Sequence, residues 1–425
     1  VSVVAAPARR SLSQWLSWQE TLHPRAIDMG LQRVRDVAHR LELLPFPAYC
    51  ITVAGTNGKG SCAHMLGHLL SYEQPNHPGL KPKVGVYTSP YLLRYNERIR
   101  INGEDASDAD LCTAFAAIEA ARGEISLTYF EFGTLAALWL FKRAQVDYCV
   151  LEVGMGGRLD AVNIIDAEAA LITSIGLDHI DWLGDNRESI GREKAGVFRT
   201  DQVAICAERE PPKSVLESAE KLQLQLRCIG KDFDLATDSN AWIWQDWQDQ
   251  NMQLTVCPNL LPDNVAGVLA LLTAIGRLPN VEVLVERLAG FSVPGRRQVI
   301  EGEVPVVLDV AHNLEAVQTL SHWLQEHPIT GSEHIVIAML KNKPVEQIGG
   351  TLASLGQIYP AGLTHVDRGL PANELQQRLN SSGPAYETVD LALQAAKNNA
   401  KAGDRIVVCG SFYTVAAVLA DQARN

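Results

Sequence analysis

Apolar residues recur along this chain with two different periods, and the switching between them predicts its elements. From 11 to 44 the positions Trp15, Trp18, Leu22, Leu31, Val34, Val37, Ala38 and Leu41 fall at three- and four-residue steps, the spacing of one helical face. Short β-rich runs then alternate with helical stretches. Tyr49–Ala54, Lys83–Tyr87, Tyr148–Val153, Ala170–Ser174 and Val203–Cys206 are predicted strands, with helices predicted at Cys62–Tyr72, Asp108–Ala121 and Phe132–Lys142. The strands are almost continuously apolar, as a parallel sheet covered on both faces requires. Residues 225 to 256 differ: three Trp among alternating polar positions predict an antiparallel edge or hairpin. A helix is predicted over Asp263–Gly276, and SVPGRR (292 to 297) then interrupts with the Pro and Gly of a linker or hinge. Beyond it, Val304–Val310, His334–Met339, Thr364–Val366 and Arg405–Cys409 form a second predicted strand series. The chain is expected to be α/β in two domains, 1–295 and a smaller 296–425.

Composition narrows the function classes. With 47% apolar residues the 425-residue chain can bury sizeable cores, so disorder is excluded. A net charge of −12 argues against general nucleic-acid binding; an anion would need a local basic cluster. The eight cysteines contain no C-x-x-C motif, and most sit in apolar runs, which suits a reducing compartment. No apolar run is long enough to span a bilayer. The arginines of VSVVAAPARRSLSQWL follow its apolar residues, the wrong order for a signal peptide. A cytoplasmic protein is expected, with neither nucleic acid nor membrane as partner.

VAGTNGKGSC (53 to 62) carries the strongest chemistry. An apolar run enters a glycine-rich turn and an amphipathic helix follows. Glycines let amides approach phosphate oxygens, the helix start adds its positive end, Lys59 adds a charge and Ser61 a hydroxyl for Mg²⁺. The spacing is unusual for a phosphate loop: Val53 stands where the first glycine belongs, and Gly60 separates Lys59 from Ser61. The plain alternative is a turn that only joins strand to helix. In LEVGMGGRLDAVN (151 to 163), Glu152 ends an apolar strand, where a carboxylate would reach the crevice at the carboxyl edge of the sheet and serve Mg²⁺, or simply meet water. In SIGLDHIDWLG (174 to 184), His179 stands at the next strand end, as a metal or phosphate group or a structural histidine. Lys194 falls in a predicted helix, where a solvated charge is the default. Asn264 opens an apolar helix and would cap it. Arg296, at the hinge, would neutralise an anion when two domains close on ATP. Asp309, His312 and Ser411 lie in strand-end loops of the second domain.

GTNGKGS, YTSPYLLRYNERI, SLTYFEFGT, LEVGMGGRLDA, DHIDWLG, REKAG, PGR, DVAHN and CGSF occur in this order. The set resembles the folylpolyglutamate synthase family of the Mur ligase superfamily, and within it the bacterial enzymes that are also dihydrofolate synthases. The resemblance implies a P-loop NTPase-like N-terminal domain and a Rossmann-like C-terminal domain. It implies a ligase that uses ATP and Mg²⁺ at two sites to join L-glutamate to dihydropteroate or reduced folates through an acyl phosphate. Gly58, Lys59, Gly60 and Ser61 would cradle the phosphates, and Asn264, Arg296 and Asp309 would contact ATP. Ser89, Glu152 and His179 would bind the magnesium ions, and Lys194 would match a lysine that is carbamylated in the family. Ile27, Asp28, Met29 and Gly30, Thr128, Tyr129, Phe130 and Glu131, and Leu159, Asp160 and Ala161 would line the pterin pocket. His312 and Ser411 would lie near the incoming glutamate. Val162, Arg297 and Asn342 depart from the family pattern, which usually has Thr, an aromatic and an acidic residue there; none is a phosphate or metal ligand. A monomer is expected. The rivals are a chain-extending synthase alone, a Mur-type ligase with its UDP-binding domain ahead of the loop, and a nucleotide switch without ligase activity.

Overall fold

A computed structural model describes residues 10–25, 27–73, 81–238, 241–256 and 258–422. They divide into two units. The larger comprises the chain through Ser89, Asn96–Val256 and Leu261–Arg287. Its eight-stranded sheet has a parallel body that runs in space Val84–Tyr87, Tyr148–Glu152, Tyr49–Ala54, Ala169–Ile172, Val203–Cys206 and Leu226–Cys228. Ile99–Ile101 and Glu104–Asp105 extend the Val84–Tyr87 side antiparallel. The central strands are buried along their length, which accounts for their unbroken apolar sequence. Register fixes what their ends present. Val53 lies opposite Glu152 on one side, and Ala54 opposite Ile172 on the other. Three loops, beginning at Gly55, Val153 and Thr173, therefore leave one edge of the sheet at the same level.

Asp234–Asp238, Ala241–Gln245 and Asn251–Leu254 form the antiparallel sheet anticipated for 225 to 256. Leu226–Cys228 departs from that expectation and joins the large sheet in parallel. The helical stretch expected over 11 to 44 is two helices, Leu12–Leu22 and Gln32–Arg40. Pro24 cannot continue the first helix and disfavours helical backbone at His23. The helices expected to begin at Cys62 and Phe132 begin at Lys59 and Tyr129 instead: the polar first turn Lys59-Gly60-Ser61 carries no apolar period, and the capping box of Thr128 and Glu131 starts the other helix ahead of its apolar run.

The second unit holds Pro90–Tyr95, a short piece ending at Leu260, and the chain from Leu288. Its five strands run Gln298–Ile300, Val306–Leu308, Arg405–Cys409, Glu333–Ile337 and Gly356–Pro360, parallel except for the first pair. Alternate strand residues feed two cores. Val307, Ile335, Ile337 and Val407 pack with Leu320 and Leu324, while Leu308, Val336, Ile406 and Val408 pack with Val389, Leu393 and Val415. The strand expected at Thr364–Val366 is absent. That segment is a turn in which Val366 N donates to Leu363 O, and the last strand is Gly356–Pro360. No helix among the described residues is long and apolar enough to cross a membrane, and Cys50, Cys62, Cys112, Cys149, Cys206, Cys228 and Cys409 are free thiols.

Candidate active site

The glycine-rich turn is held from below by the neighbouring strand end. Thr56 N donates to Ser174 O at 2.7 Å and the Thr56 hydroxyl to Gly176 O at 3.1 Å. The Thr173 hydroxyl donates to Asn57 O at 2.6 Å, and Ser174 Oγ accepts from Asn57 N at 3.0 Å. Thr173 and Ser174 are supporting residues that the motif did not identify; their signal is a hydroxyl pair at the end of an apolar strand. Gly55 (φ +153°) lies so close to the Thr173 hydroxyl that a Cβ would overlap it, and Gly58 (φ +86°) leaves no room for a Cβ beside the Asn264 amide. Gly58 N-caps the helix Lys59–Leu70, whose first amides point into the turn. Lys59 Nζ curls over the loop and donates to Gly55 O and Thr56 O, each at 3.0 Å. Ser61 and Asn264 are buried, and the Cys62 thiol donates to Asn264 O at 3.7 Å. Burial first, and the Glu152 charge second, hold that thiol well above the usual range.

Glu152 is 3% exposed. Its Oε2 accepts from Ser89 N at 2.8 Å, and a Cβ on Gly60 would lie 3.5 Å from the same oxygen. Carboxylate, Ser89 and phosphate turn thus meet in one place. These residues fit a magnesium nucleotide: a cradle that a side chain would fill, a lysine over it, and a carboxylate against the first helical turn. His179 sits on the turn after the adjacent strand, exposed and left-handed at φ +52°, with its amide donating to Asp178 Oδ1 at 2.8 Å. Among the described residues no three His, Cys, Asp or Glu are grouped to hold a metal by themselves, so phosphate oxygens and water would complete any ion's shell. Lys194 is 2% exposed in the helix Arg187–Ala195. The loop after Glu152 lies on this helix: Arg158 N donates to Glu193 O at 2.8 Å, and a Cβ on Gly157 would come within 2.8 Å of that oxygen and 3.0 Å of Lys194 O.

A third group forms around the start of the helix Tyr129–Ala144. Thr128 and Glu131 make a capping box, with the Thr128 hydroxyl accepting from Glu131 N at 3.2 Å and Glu131 Oε2 from Thr128 N at 2.8 Å. Glu131 also pairs with Arg33 at 3.0 Å, and Arg33 with Asp28 at 2.8 Å. Thr128 and Glu131 are thereby tied to each other, and Arg33 ties Glu131 to Asp28. Arg33, which links them, carries no local sequence signal. The Phe130 ring packs against Gly154, its Cζ 2.6 Å from where a Cβ would be, and its ring centroid is 5.9 Å from that of Tyr87. Met29 approaches Gly156 from another side, as does Leu183. Ile27, Gly30 and Leu159 are half-buried and Ala161 is buried. Asp160 is 5% exposed; Oδ2 accepts from Met155 N at 2.9 Å and Oδ1 from Val162 N at 3.1 Å. Burial pushes its carboxyl up to about 7 against the pull of these amides.

In the second unit, Asp309 accepts from Arg297 N at 3.0 Å and Ala311 N at 2.8 Å. Burial raises its carboxyl, and the Arg296 charge opposes the rise. The Arg296 guanidinium lies 4.9 Å from the Phe412 ring centroid, and the His312 ring 6.1 Å from the same ring. Arg297, the departure from the family's aromatic, places its guanidinium 5.7 Å from the Trp323 ring. Ser411 is buried; its hydroxyl lies 2.6 Å from Thr414 Oγ1 and accepts from Thr414 N at the start of the helix Phe412–Gln422.

Residues 53–255 match the family model of the Mur ligase middle domain, and residues 295–412 that of the Mur ligase glutamate ligase domain. A phosphate-loop unit and a second α/β unit of these types define a Mur-type ligase. The dihydrofolate synthase/folylpolyglutamate synthase of Escherichia coli (strain K12) is 43% identical over 418 residues, covering 97% of this chain and 96% of that protein. The structure of E. coli FolC in complex with DHPP and ADP matches with a TM-score of 0.92 at 42% identity, over 99% of this chain and 100% of that one. A bifunctional folylpolyglutamate synthase/dihydrofolate synthase with Mn, AMPPNP and L-glutamate bound matches with a TM-score of 0.88 at 43% identity, over 97% and 98%. The chain belongs to the dihydrofolate synthase/folylpolyglutamate synthase family.

Proposed function

We propose that this chain is an ATP-dependent ligase that adds L-glutamate to dihydropteroate, giving dihydrofolate, and to the γ-carboxyl of reduced folates. The observation that carries the reading is the meeting of the glycine turn, Lys59, Glu152 and Asn264 at one sheet edge, in a chain that matches bifunctional relatives over nearly its full length. A carboxylate is a poor acyl donor, so the acceptor carboxylate first takes the γ-phosphoryl group of ATP. The glutamate amine then attacks the acyl phosphate and phosphate leaves. Gly58, Gly60 and Ser61 hold the phosphates through amides and hydroxyl, and Lys59 follows the charge as it shifts between phosphate oxygens. Ser89, Glu152 and His179 would hold magnesium in two sites, and the metal would supply further positive charge to the phosphates. Lys194, once carbamylated, would present a carboxylate-like group in place of a buried cation. Asn264, Arg296 and Asp309 serve the nucleotide, Phe130 stacks on the pterin, and Asp160 accepts from its N–H groups. On this reading residues 1–295 carry ATP and pterin binding, and 296–425, with His312 and Ser411, the glutamate side.

Labelled L-glutamate, offered with ATP and either dihydropteroate or tetrahydrofolate, is expected to enter both products. Entry into the folate product alone would restrict the activity to chain extension. No entry into either, with ATP still bound, would favour a nucleotide switch. The free thiols accord with a cytoplasmic enzyme, and a monomer is expected by gel filtration.

Asp160 gives a pH signature. With its carboxyl at about 7, the ionised form that accepts from pterin N–H groups gains population as pH rises through 7. The KM for dihydropteroate is therefore expected to fall between pH 6 and pH 8 by up to about tenfold. In Asp160→Asn it should be higher and flat across that range. A wild-type KM that does not change would remove the carboxylate from acceptor binding.

A further inference from the structure

Beside the residues proposed for the acceptor lies a buried cation that the scheme above does not use. Arg98 is only 9% exposed and immediately precedes the strand Ile99–Ile101. Its guanidinium lies 5.6 Å from the Tyr129 ring centroid and also engages the Tyr87 hydroxyl. Tyr87 leads back to the pterin side by two routes. Its ring is 5.9 Å from Phe130, and its hydroxyl lies 3.4 Å from Thr134 Oγ1, which donates to Phe130 O at 3.0 Å. Phe130 in turn covers Gly154, whose amide bonds Asp160. Arg98 and Asp160 thus flank one aromatic cluster, and each is nine-tenths buried or more.

We propose that Arg98 is a second recognition residue for the acceptor, donating from its guanidinium to the carbonyl oxygen of the pterin ring. This rests on the acceptor reading above. The polar edge of a pterin presents two kinds of group: N–H donors and, next to them, a carbonyl acceptor. A carboxylate can satisfy only the donors. An arginine stays charged when buried and has only donors, so it complements the remaining group. The bland alternative is that Arg98 merely supports Tyr129 and Tyr87.

The test compares dihydropteroate with its 4-amino analogue, in which an amino group replaces the ring carbonyl, for wild type, Arg98→Gln and Arg98→Lys. Acceptor KM, KM for ATP and melting temperature are measured together. Arg98→Gln should raise the KM for dihydropteroate by about 10- to 100-fold, the range of one charge-assisted hydrogen bond. The KM for the 4-amino analogue should change by less than about threefold, so that the wild-type preference for the carbonyl disappears, and the KM for ATP should not move. Arg98→Lys should fall between wild type and Arg98→Gln; if the glutamine variant loses its cooperative melt, the lysine variant decides the question on the same ratio. An equal loss with both acceptors would assign Arg98 a purely structural role and overturn the proposal, as would an unchanged KM for dihydropteroate. Wild-type enzyme that ligates glutamate to neither acceptor would instead overturn the functional reading itself.

Discussion

Lys59→Met is expected to leave the fold intact and lower the kcat for glutamate ligation by about 10³-fold at saturating ATP. The side chain lies over the turn with Nζ on two loop carbonyls, so the loop is already arranged around a positive charge before any phosphate arrives. A preorganised charge of this kind is worth the most when negative charge shifts during phosphoryl transfer, and the loss of one such group costs on the order of 10²–10³ in rate. Methionine keeps the length of the stem and removes only the ammonium. The checks are steady-state glutamate incorporation and thermal melting of the same preparation. Activity within tenfold of wild type, with the fold intact, would take Lys59 out of the chemistry.

Gly55→Ala should have the largest effect on stability. Two independent obstacles meet there: a φ of +153°, which residues with a Cβ rarely adopt, and a Thr173 hydroxyl that the new methyl would overlap. Thr173 cannot simply turn away, because its hydroxyl donates to Asn57 O and shapes the same turn. The combined cost is about 3 kcal/mol, which for a unit of this size lowers the melting temperature by roughly 10 °C. Gly55→Ala combined with Thr173→Gly should recover only part of the loss, since the backbone strain remains. Full recovery would show that the overlap alone was responsible. A melting temperature within 2 °C of wild type for Gly55→Ala itself would show that the turn can relax.

What the sequence revealed and what it concealed have physical causes. Tyr49–Ala54, Val203–Cys206 and Arg405–Cys409 were legible to the residue because a strand buried on both faces must be apolar along its length. Gly356–Pro360 was not: Gly, Gln and Pro give it little strand character of its own, and its pairing with Glu333–Ile337 makes it a strand. The glycine turn and Glu152 were legible because each interrupts an apolar run with a group that a core would exclude. The tie from Glu131 to Arg33 was invisible because it joins positions 98 residues apart by geometry alone. The use of the Ser411 hydroxyl on Thr414 was concealed for a different reason: a helix cap and a ligand contact call for the same residue type.

The register between Tyr49–Ala54 and Tyr148–Glu152 makes the sheet a ruler. Glu152 reaches the turn because it is the fifth residue of its strand, opposite Val53. Side chains alternate between faces, so one residue inserted or deleted inside Tyr148–Glu152 would put Leu151 or Val153 at that place and turn the carboxylate towards the opposite layer. The same change in the loop before Tyr148 would be absorbed without moving it. Length variation in this enzyme is therefore tolerated between strands and forbidden within them, and the position of the Glu152 carboxylate is fixed by counting.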